Sequence, residues 1–171
     1  MTKAKRAAAA ALVGAFVLGR AAGADAQALD LGTTSPLTIT SAQWQRDATL
    51  QFEPEKATAV RLAATGKESL FPSQDVDAVK SGIEALFGVT GLSFVGECNP
   101  DCTGEITGAG SGHGGQFMFG KRINYVAIHA GDRELVFYYK QAPVTAGFFV
   151  IGMPQDYKNV RLFSGGRPLS P

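Results

Sequence analysis

The last third of the chain carries a close series of segments rich in β-branched and aromatic residues, and this series restricts the fold more than any other feature. Strands are predicted at residues 116–119, 123–130, 133–140, 148–151 and 159–163. Gly131-Asp132 separates two of these segments by two residues, with glycine first, which is typical of a tight hairpin. Strands spaced by roughly 8–12 residues, with turn residues between them, favour an antiparallel β-sandwich.

Two of the predicted strands are apolar at both odd and even positions, over residues 125–128 and 135–139. Alternate side chains of a strand point to opposite faces of a sheet, so this pattern indicates a sheet that is covered on both sides. We therefore predict a mainly β fold, an antiparallel β-sandwich of jelly-roll type, with one α-helix near residues 74–87 that lies on a sheet.

The helix is predicted from apolar residues at helical spacing, which are Val76, Val79, Ile83, Leu86 and Phe87. Ser73 can cap its start, and Gly88 follows its last apolar pair, where a left-handed cap is expected. Further strands are predicted at 37–40, 44–52 and 92–95, and the glycine-rich residues 108–115 are predicted to form a loop. Residues 57–70 favour a strand with a turn by the alternation of Val60, Leu62 and Ala64, with a helix as the alternative.

The chain begins with the three parts of a secretory signal peptide. They are a basic start at Lys3, Lys5 and Arg6, an apolar run over residues 7–18, and a small-residue cleavage site at Ala26-Gln27-Ala28. The apolar run has about 12 residues, whereas a membrane span needs roughly 20. Residues 1–28 are therefore predicted to be cleaved, which leaves residues 29–171 as a single secreted or periplasmic domain. The alternative is an uncleaved N-terminal anchor.

The charge balance gives no reason to expect nucleic acid or an anionic membrane as partner. The chain has 16 basic and 15 acidic residues, of which the predicted signal removes four and one. The remaining 12 basic and 14 acidic residues give a net charge of −2. No later stretch is predicted to span a membrane, because the best candidate, residues 144–153, has about half the required length.

The two cysteines, Cys98 and Cys102, are closely spaced, and in an exported protein such a pair predicts a disulfide. Free thiols or a metal site are the alternatives. Oxygen-bearing side chains surround this loop: Glu97, Asn99, Asp101 and Glu105. They are candidate calcium ligands, although they do not match the EF-hand spacing and short acidic surface loops are common.

No catalytic residue and no cofactor are predicted. His113 lies in the glycine-rich segment near Ser111, in a sequence that does not match the Gly-x-Ser-x-Gly nucleophile elbow. The segment 110–115 matches G-x-G-x-x-G formally, but a nucleotide site needs a helix after the motif, and a β-rich stretch follows here. His129 ends a predicted strand and is interpreted as a partly buried strand histidine.

Aromatic side chains are the remaining candidates for ligand binding, because flat rings can stack on sugar rings. The candidates are Trp44, Tyr125, Tyr138 and Tyr139, with Tyr157 as a further one. Most strand aromatics belong to a core. Consecutive Tyr138 and Tyr139 must point to opposite faces of their sheet, so one of them could face solvent.

Two stretches resemble exported proteins of the PEP-CTERM type. The first is residues 82–92, which contain Leu86-Phe-Gly-Val-Thr-Gly-Leu92, and the second is residues 116–163 with their series of strands and the Gly-Asp turn. The resemblance implies association with the extracellular matrix or envelope, often with exopolysaccharide, and no catalytic residues. Members of this family end in Pro-Glu-Pro, an apolar helix and a basic tail. Residues 165–171 differ, which implies a member without the anchor that is released after export.

Three functions are therefore considered. The first is a non-enzymatic secreted or envelope-associated protein that binds exopolysaccharide or envelope proteins. The second is a small exported hydrolase, which would require carboxylates to converge in a cleft with His113 or His129. The third is a structural subunit that assembles through an exposed edge strand.

Overall fold

The structure is a computed structural model of the chain. It describes residues 28–33, 36–45, 50–54, 57–98, 101–104, 106–111, 114–119, 122–141, 148–151 and 157–170. The predicted signal peptide therefore lies outside the described residues, apart from Ala28.

The described residues form twelve strands and two helices. In chain order these are β1 Leu29–Asp30, β2 Leu37–Ile39, α1 Ser41–Trp44, β3 Leu50–Pro54, β4 Ala59–Ala64, α2 Val76–Phe87, β5 Val89–Cys98, β6 Cys102–Gly104, β7 Ile106–Ser111, β8 Gly114–Phe119, β9 Tyr125–Ala130, β10 Arg133–Tyr138, β11 Phe148–Ile151 and β12 Tyr157–Pro168. A seven-stranded sheet has the order β1-β4-β10-β9-β12-β5-β6, and a five-stranded sheet has the order β2-β3-β11-β8-β7. The prediction of a mainly β fold is confirmed.

The predicted hairpin lies at the centre of the seven-stranded sheet. Strands β9 and β10 pair antiparallel from Ala130 opposite Arg133 onward, so Gly131 and Asp132 form the whole connection. Gly131 has φ 63°, which is the left-handed conformation that such a turn requires and that glycine adopts without steric cost.

Helix α2 is also confirmed, with its boundary at Val76. Its N-cap is Asp75, whereas Ser73, the expected cap, lies two residues earlier and donates its hydroxyl to the Asp75 carboxylate at 2.8 Å. Gly88 ends the helix in the left-handed conformation, as expected, and its N–H donates to the Glu84 carbonyl. Val79 and Ile83 are its buried face.

Both faces of the seven-stranded sheet are covered, as its uninterrupted apolar strands indicate. On one side, which we call the inner face, Val126, Ile128 and Leu162 share a core with Leu37 and Ile39 of the second sheet. Trp44 of α1 lies in the same core. On the other side, which we call the helix face, the residues beneath α2 are Ala63, Tyr125, Ala127, Val136 and Phe163. The sheet therefore packs against side chains of β2 on its inner face and against α2 on its helix face.

Two local predictions are wrong. The strand expected over residues 44–52 is wrong at its start, because Trp44 belongs to α1, which Thr40 and Gln43 begin with a reciprocal capping box. Residues 50–52 belong to β3, as expected, and residues 46–49 lie outside the described residues. The glycine-rich residues 108–115 were expected to form a loop. Those that the structure describes belong to β7 and β8, which pair from Ile106 opposite Phe119 to Ser111 opposite Gly114. Pairing with the neighbouring strand overrides the low strand propensity of glycine there.

Candidate functional site

Strand register arranges the side chains of the helix face in rows that cross the seven-stranded sheet. In one row, Glu134 of β10 and Asn159 of β12 both lie opposite His129 of β9. We call Glu134, His129 and Asn159 the polar row. Their exposed fractions are 1%, 7% and 6%. Buried polar groups cost free energy unless they are paired, so the contacts of this row decide what it can do.

The second row lies one step further along the strands and contains Val136, Ala127, Arg161 and Glu97. Arg161 is 4% exposed, and its Nε donates to Glu97 Oε2 at 3.0 Å. Its Nη1 donates to Gln74 Oε1 at 3.0 Å, and its Nη2 donates to the Gln74 carbonyl. The buried guanidinium is therefore balanced by one carboxylate and held by the residue before the α2 N-cap.

A β-bulge in β5 brings Glu97 to this face. Leu162 pairs with Gly96, whereas the next residue, Phe163, pairs with Phe94, so Val95 is an extra residue on β5. Without a bulge, residues 94 and 97 would point to opposite faces. With it, Glu97 reaches Arg161 while Phe94 contacts Phe163 on the same face of the sheet.

Gln74 connects the two rows. Its Oε1 accepts from Arg161, and its Nε2 donates to Glu134 Oε2 at 3.1 Å. The same carboxylate oxygen lies 3.2 Å from His129 Nδ1, a contact at ion-pair distance that lacks hydrogen-bond geometry. The carboxylate of Glu134 is thus oriented through Oε2 by two neighbours.

Three buried polar atoms of the row have no hydrogen-bond partner among the described residues. They are Glu134 Oε1, Asn159 Oδ1 and His129 Nδ1. The first two are hydrogen-bond acceptors, and an unsatisfied acceptor this deep costs about 1–3 kcal/mol. The row is therefore built to accept hydrogen bonds that the described side chains do not supply.

An aromatic row forms the other end of the helix face, with Tyr138, Tyr125, Phe163 and Phe94 in register. The Tyr125 and Tyr138 rings stack with centroids 5.0 Å apart, and Phe87 of α2 packs edge-on to Tyr125 at 5.2 Å. Tyr125 is buried, and its burial, together with the neighbouring Tyr138, raises its pKa to about 12. Tyr125 is therefore a neutral core side chain at physiological pH.

Part of this row reaches the surface. Tyr138 and Phe87 are half-buried, and their ring centroids are 5.7 Å apart. Arg61 of β4 places its guanidinium 5.9 Å from the Phe87 ring centroid and forms an ion pair with Asp30. At the far end, on β5, Phe94 is 43% exposed.

The four aromatic residues predicted to bind a ligand do not form one surface. Trp44 and Tyr139 are both 2% exposed and belong to the core of the inner face. Tyr125 and Tyr138 are brought together on the helix face. As the alternation of a strand requires, Tyr138 and Tyr139 lie on opposite sides, and Tyr138 is the more exposed of the two.

Of the candidate calcium ligands, Glu97 is engaged by Arg161 and Asp101 is exposed, whereas Asn99 and Glu105 lie outside the described residues. Within the described ranges, no three His, Cys, Asp or Glu side chains are grouped as a metal site would need. Cys98 is disulfide-bonded, and Cys102 is its direct cross-strand neighbour in β6. His113 lies outside the described residues.

Sequence analysis did not single out Glu134, Asn159, Arg161 or Gln74. A signal for three of them exists: polar residues recur within otherwise apolar strands, as in Asn159-Val-Arg161-Leu and in Glu134 before Leu135-Val-Phe. A charged residue on a face otherwise occupied by core side chains must find a buried partner. Gln74 has no such signal, because it lies at the start of the predicted helix, before the first residue of the apolar period, Val76.

Comparison of the chain with protein-family models, with curated proteins and with solved structures finds no match. The PEP-CTERM resemblance therefore stays a prediction. Neither helix of the described part of the chain has the length and apolar character that a membrane span requires.

Proposed function

We propose that this protein is exported and binds envelope or extracellular polysaccharide without catalysing a reaction. The observation that carries the proposal is the aromatic patch, which we define as the half-buried rings of Tyr138 and Phe87 with the guanidinium of Arg61. Aromatic rings offer flat apolar faces to the C–H groups of a sugar, and a guanidinium offers several donors to sugar hydroxyls.

The packing around the patch favours binding by a rigid surface. Tyr138 stacks on buried Tyr125, and Phe87 contacts both rings, so the patch is fixed before a ligand arrives. A preformed site loses less conformational entropy on binding than a flexible one. The predicted signal peptide and the PEP-CTERM resemblance support the same location and ligand class.

The polar row does not favour the hydrolase alternative. Its Glu134–His129 contact supplies the carboxylate and imidazole that a general base needs. However, no hydroxyl or thiol among the described side chains is hydrogen-bonded to His129, and Glu134 is buried.

A pull-down with purified bacterial exopolysaccharides and peptidoglycan tests the proposal. We expect the wild-type domain to bind at least one polymer and Tyr138→Ala to reduce its affinity at least tenfold, because a stacking face is removed. Phe94→Ala is the matched control, since Phe94 is an exposed aromatic residue at the other end of the same row. Circular dichroism checks that each variant is folded.

Two results would contradict the proposal. If the folded wild-type domain binds none of the polymers, polysaccharide binding is rejected. If Tyr138→Ala and Phe94→Ala bind as the wild type does, the aromatic patch is not the binding site.

A further inference from the structure

The charges of the helix face leave one carboxylate without a full cationic partner. Arg161 is balanced by Glu97, and Arg61 by Asp30. Glu134, at 1% exposure, has only the imidazole of His129 within ion-pair distance among the described side chains. The Glu134 carboxylate therefore lacks the guanidinium partner that Glu97 and Asp30 have, and a buried carboxylate is costly unless it is paired.

Two of the three atoms of the polar row that lack a hydrogen-bond partner are acceptors, and the third is His129 Nδ1. Gln74 donates from its amide nitrogen to Glu134 Oε2 and accepts at its amide oxygen from Arg161, and its second amide N–H reaches neither Glu134 Oε1 nor Asn159 Oδ1. Glu134 Oε1 and Asn159 Oδ1 accept hydrogen bonds, whereas His129 Nδ1 accepts or donates according to the tautomer of the ring. A bound group must therefore carry donors, and a positive charge would complete the balance.

The backbone places these two acceptors on either side of His129. Glu134 and Asn159 are each its direct cross-strand neighbour, so their strands lie about 10 Å apart, or two strand spacings. Ala63 and Ala127 are neighbours of the row on the same face and are small. The near-complete burial of the row restricts entry to a small group.

We propose that the polar row binds a small primary ammonium group. Glu134 Oε1 and Asn159 Oδ1 each accept one N–H of the ligand, and the Glu134 carboxylate supplies the opposing charge. A hydroxyl has one donor, so it would satisfy only one of the two acceptors and leave the carboxylate without a cation, and a quaternary ammonium would supply the charge but carry no donors. This site is separate from the aromatic patch and does not depend on polysaccharide binding.

Two cations of equal charge test the proposal on the wild-type domain. Methylammonium chloride and tetramethylammonium chloride are titrated at pH 8 and matched ionic strength, while the His129 ring is followed by NMR and unfolding is followed by heating. His113→Gln assigns the His129 signals, because the chain has two histidines. We expect methylammonium to shift the His129 ring signals saturably and to raise the melting temperature by a few degrees, and tetramethylammonium to do neither.

Glu134→Gln keeps the shape of the side chain and removes its charge, so we expect it to abolish the saturable response. Glu84→Gln is the matched control, because Glu84 is a half-buried carboxylate of α2 that accepts the Leu92 N–H away from the row. Its response should equal that of the wild type.

The proposal is overturned if both cations act alike, if Glu134→Gln responds as the wild type does, or if the His129 ring proves to be doubly protonated at pH 8. In the last case an imidazolium already balances Glu134. Since the comparison of cations and the NMR measurement use the wild type, the outcome does not depend on the folding of Glu134→Gln.

Discussion

Arg161 illustrates how a single buried charge is accommodated. Its guanidinium donates to a carboxylate of β5 and to the side chain and backbone of the residue that precedes the α2 N-cap. A buried ion pair adds little net stability compared with apolar residues of the same shape. Removing one partner, however, leaves the other charge buried and unpaired. The ion pair of Arg161 is therefore expected to contribute more to stability than the exposed ion pair of Arg61 and Asp30.

We expect Arg161→Ala to lower the free energy of unfolding by about 3–5 kcal/mol, because it leaves Glu97 and Gln74 without their donor and opens a cavity. Urea denaturation measures the loss. Asp30→Ala is the control, because it removes an exposed ion pair with Arg61. The Asp30 side chain is 62% exposed, so the free energy of unfolding should fall by less than about 1 kcal/mol. Similar losses in the two variants would show that Arg161 is not held as described.

Tyr125 makes the stability of the domain depend on pH in the alkaline range. Its folded pKa is raised from 10.0 to about 12 by burial and by Tyr138, so the folded state keeps a proton that the unfolded state releases. The resulting contribution is complete below pH 10 and is lost as the pH rises towards 12.

The free energy of unfolding, measured by urea denaturation between pH 9 and pH 12, should therefore fall more steeply with pH for the wild type than for Tyr125→Phe. Phenylalanine has no group to titrate at that position. Parallel curves would mean that Tyr125 ionises normally in the folded state. Absorbance of the phenolate provides an independent titration of the same group.

At the scale of elements, the position of α2 depends on a close contact between Gly82, in the middle of the helix, and the residues that precede the helix. Gly82 faces Phe71 and the carbonyl of Leu70, and a Cβ there would lie 2.6 Å from both. Glycine is otherwise unfavourable inside a helix, by about 1 kcal/mol relative to alanine. The residue is thus explained by packing against the segment that precedes the helix.

We expect Gly82→Ala to destabilise the domain by roughly 1–3 kcal/mol, because overpacking outweighs the gain in helix propensity. Ser81→Ala, at an exposed position of the same helix, should be neutral or slightly stabilising. Thermal unfolding of both variants makes the comparison. A stabilised Gly82→Ala would contradict the tight contact with Phe71.

The bulge of β5 is the second decisive feature at this scale. It sets Phe94 and Glu97 on one face of the sheet although they are three residues apart. The aromatic row thereby gains Phe94, and the row beside it gains Glu97, the partner of Arg161. A strand with regular alternation could supply only one of these two contacts.

At the scale of the whole molecule, the predicted export and the disulfide are tested together. When the full chain is expressed with a functional secretion system, we expect the exported product to begin near Leu29 and to weigh two hydrogens less than its reduced form. Intact-mass spectrometry before and after reduction measures both. An exported chain that keeps residues 1–28 would contradict cleavage, and an unchanged mass would contradict the disulfide.

Local patterns predicted much of the fold because they depend on neighbouring residues. The Gly131-Asp132 turn, the period of α2 and the uninterrupted apolar strands β9 and β10 each involve a short stretch of chain. The strand from Trp44 and the loop at 108–115 were wrong because a capping box and a strand partner outweighed composition. Of the candidate site, Tyr125 and Tyr138 were anticipated as ligand-binding residues, and Glu97 was anticipated as a calcium ligand but is paired with Arg161.

The sequence by itself determined that the chain forms antiparallel strands with one amphipathic helix and a sheet covered on both sides. The tertiary structure alone decided which polar residues meet. Gln74 is 60 residues from Glu134 and 87 from Arg161, and Glu97 is 64 from Arg161. Contacts at such separations depend on strand order, register and a single-residue bulge. None of these features can be predicted from the periodicity of the sequence, because each arises only when distant segments pair.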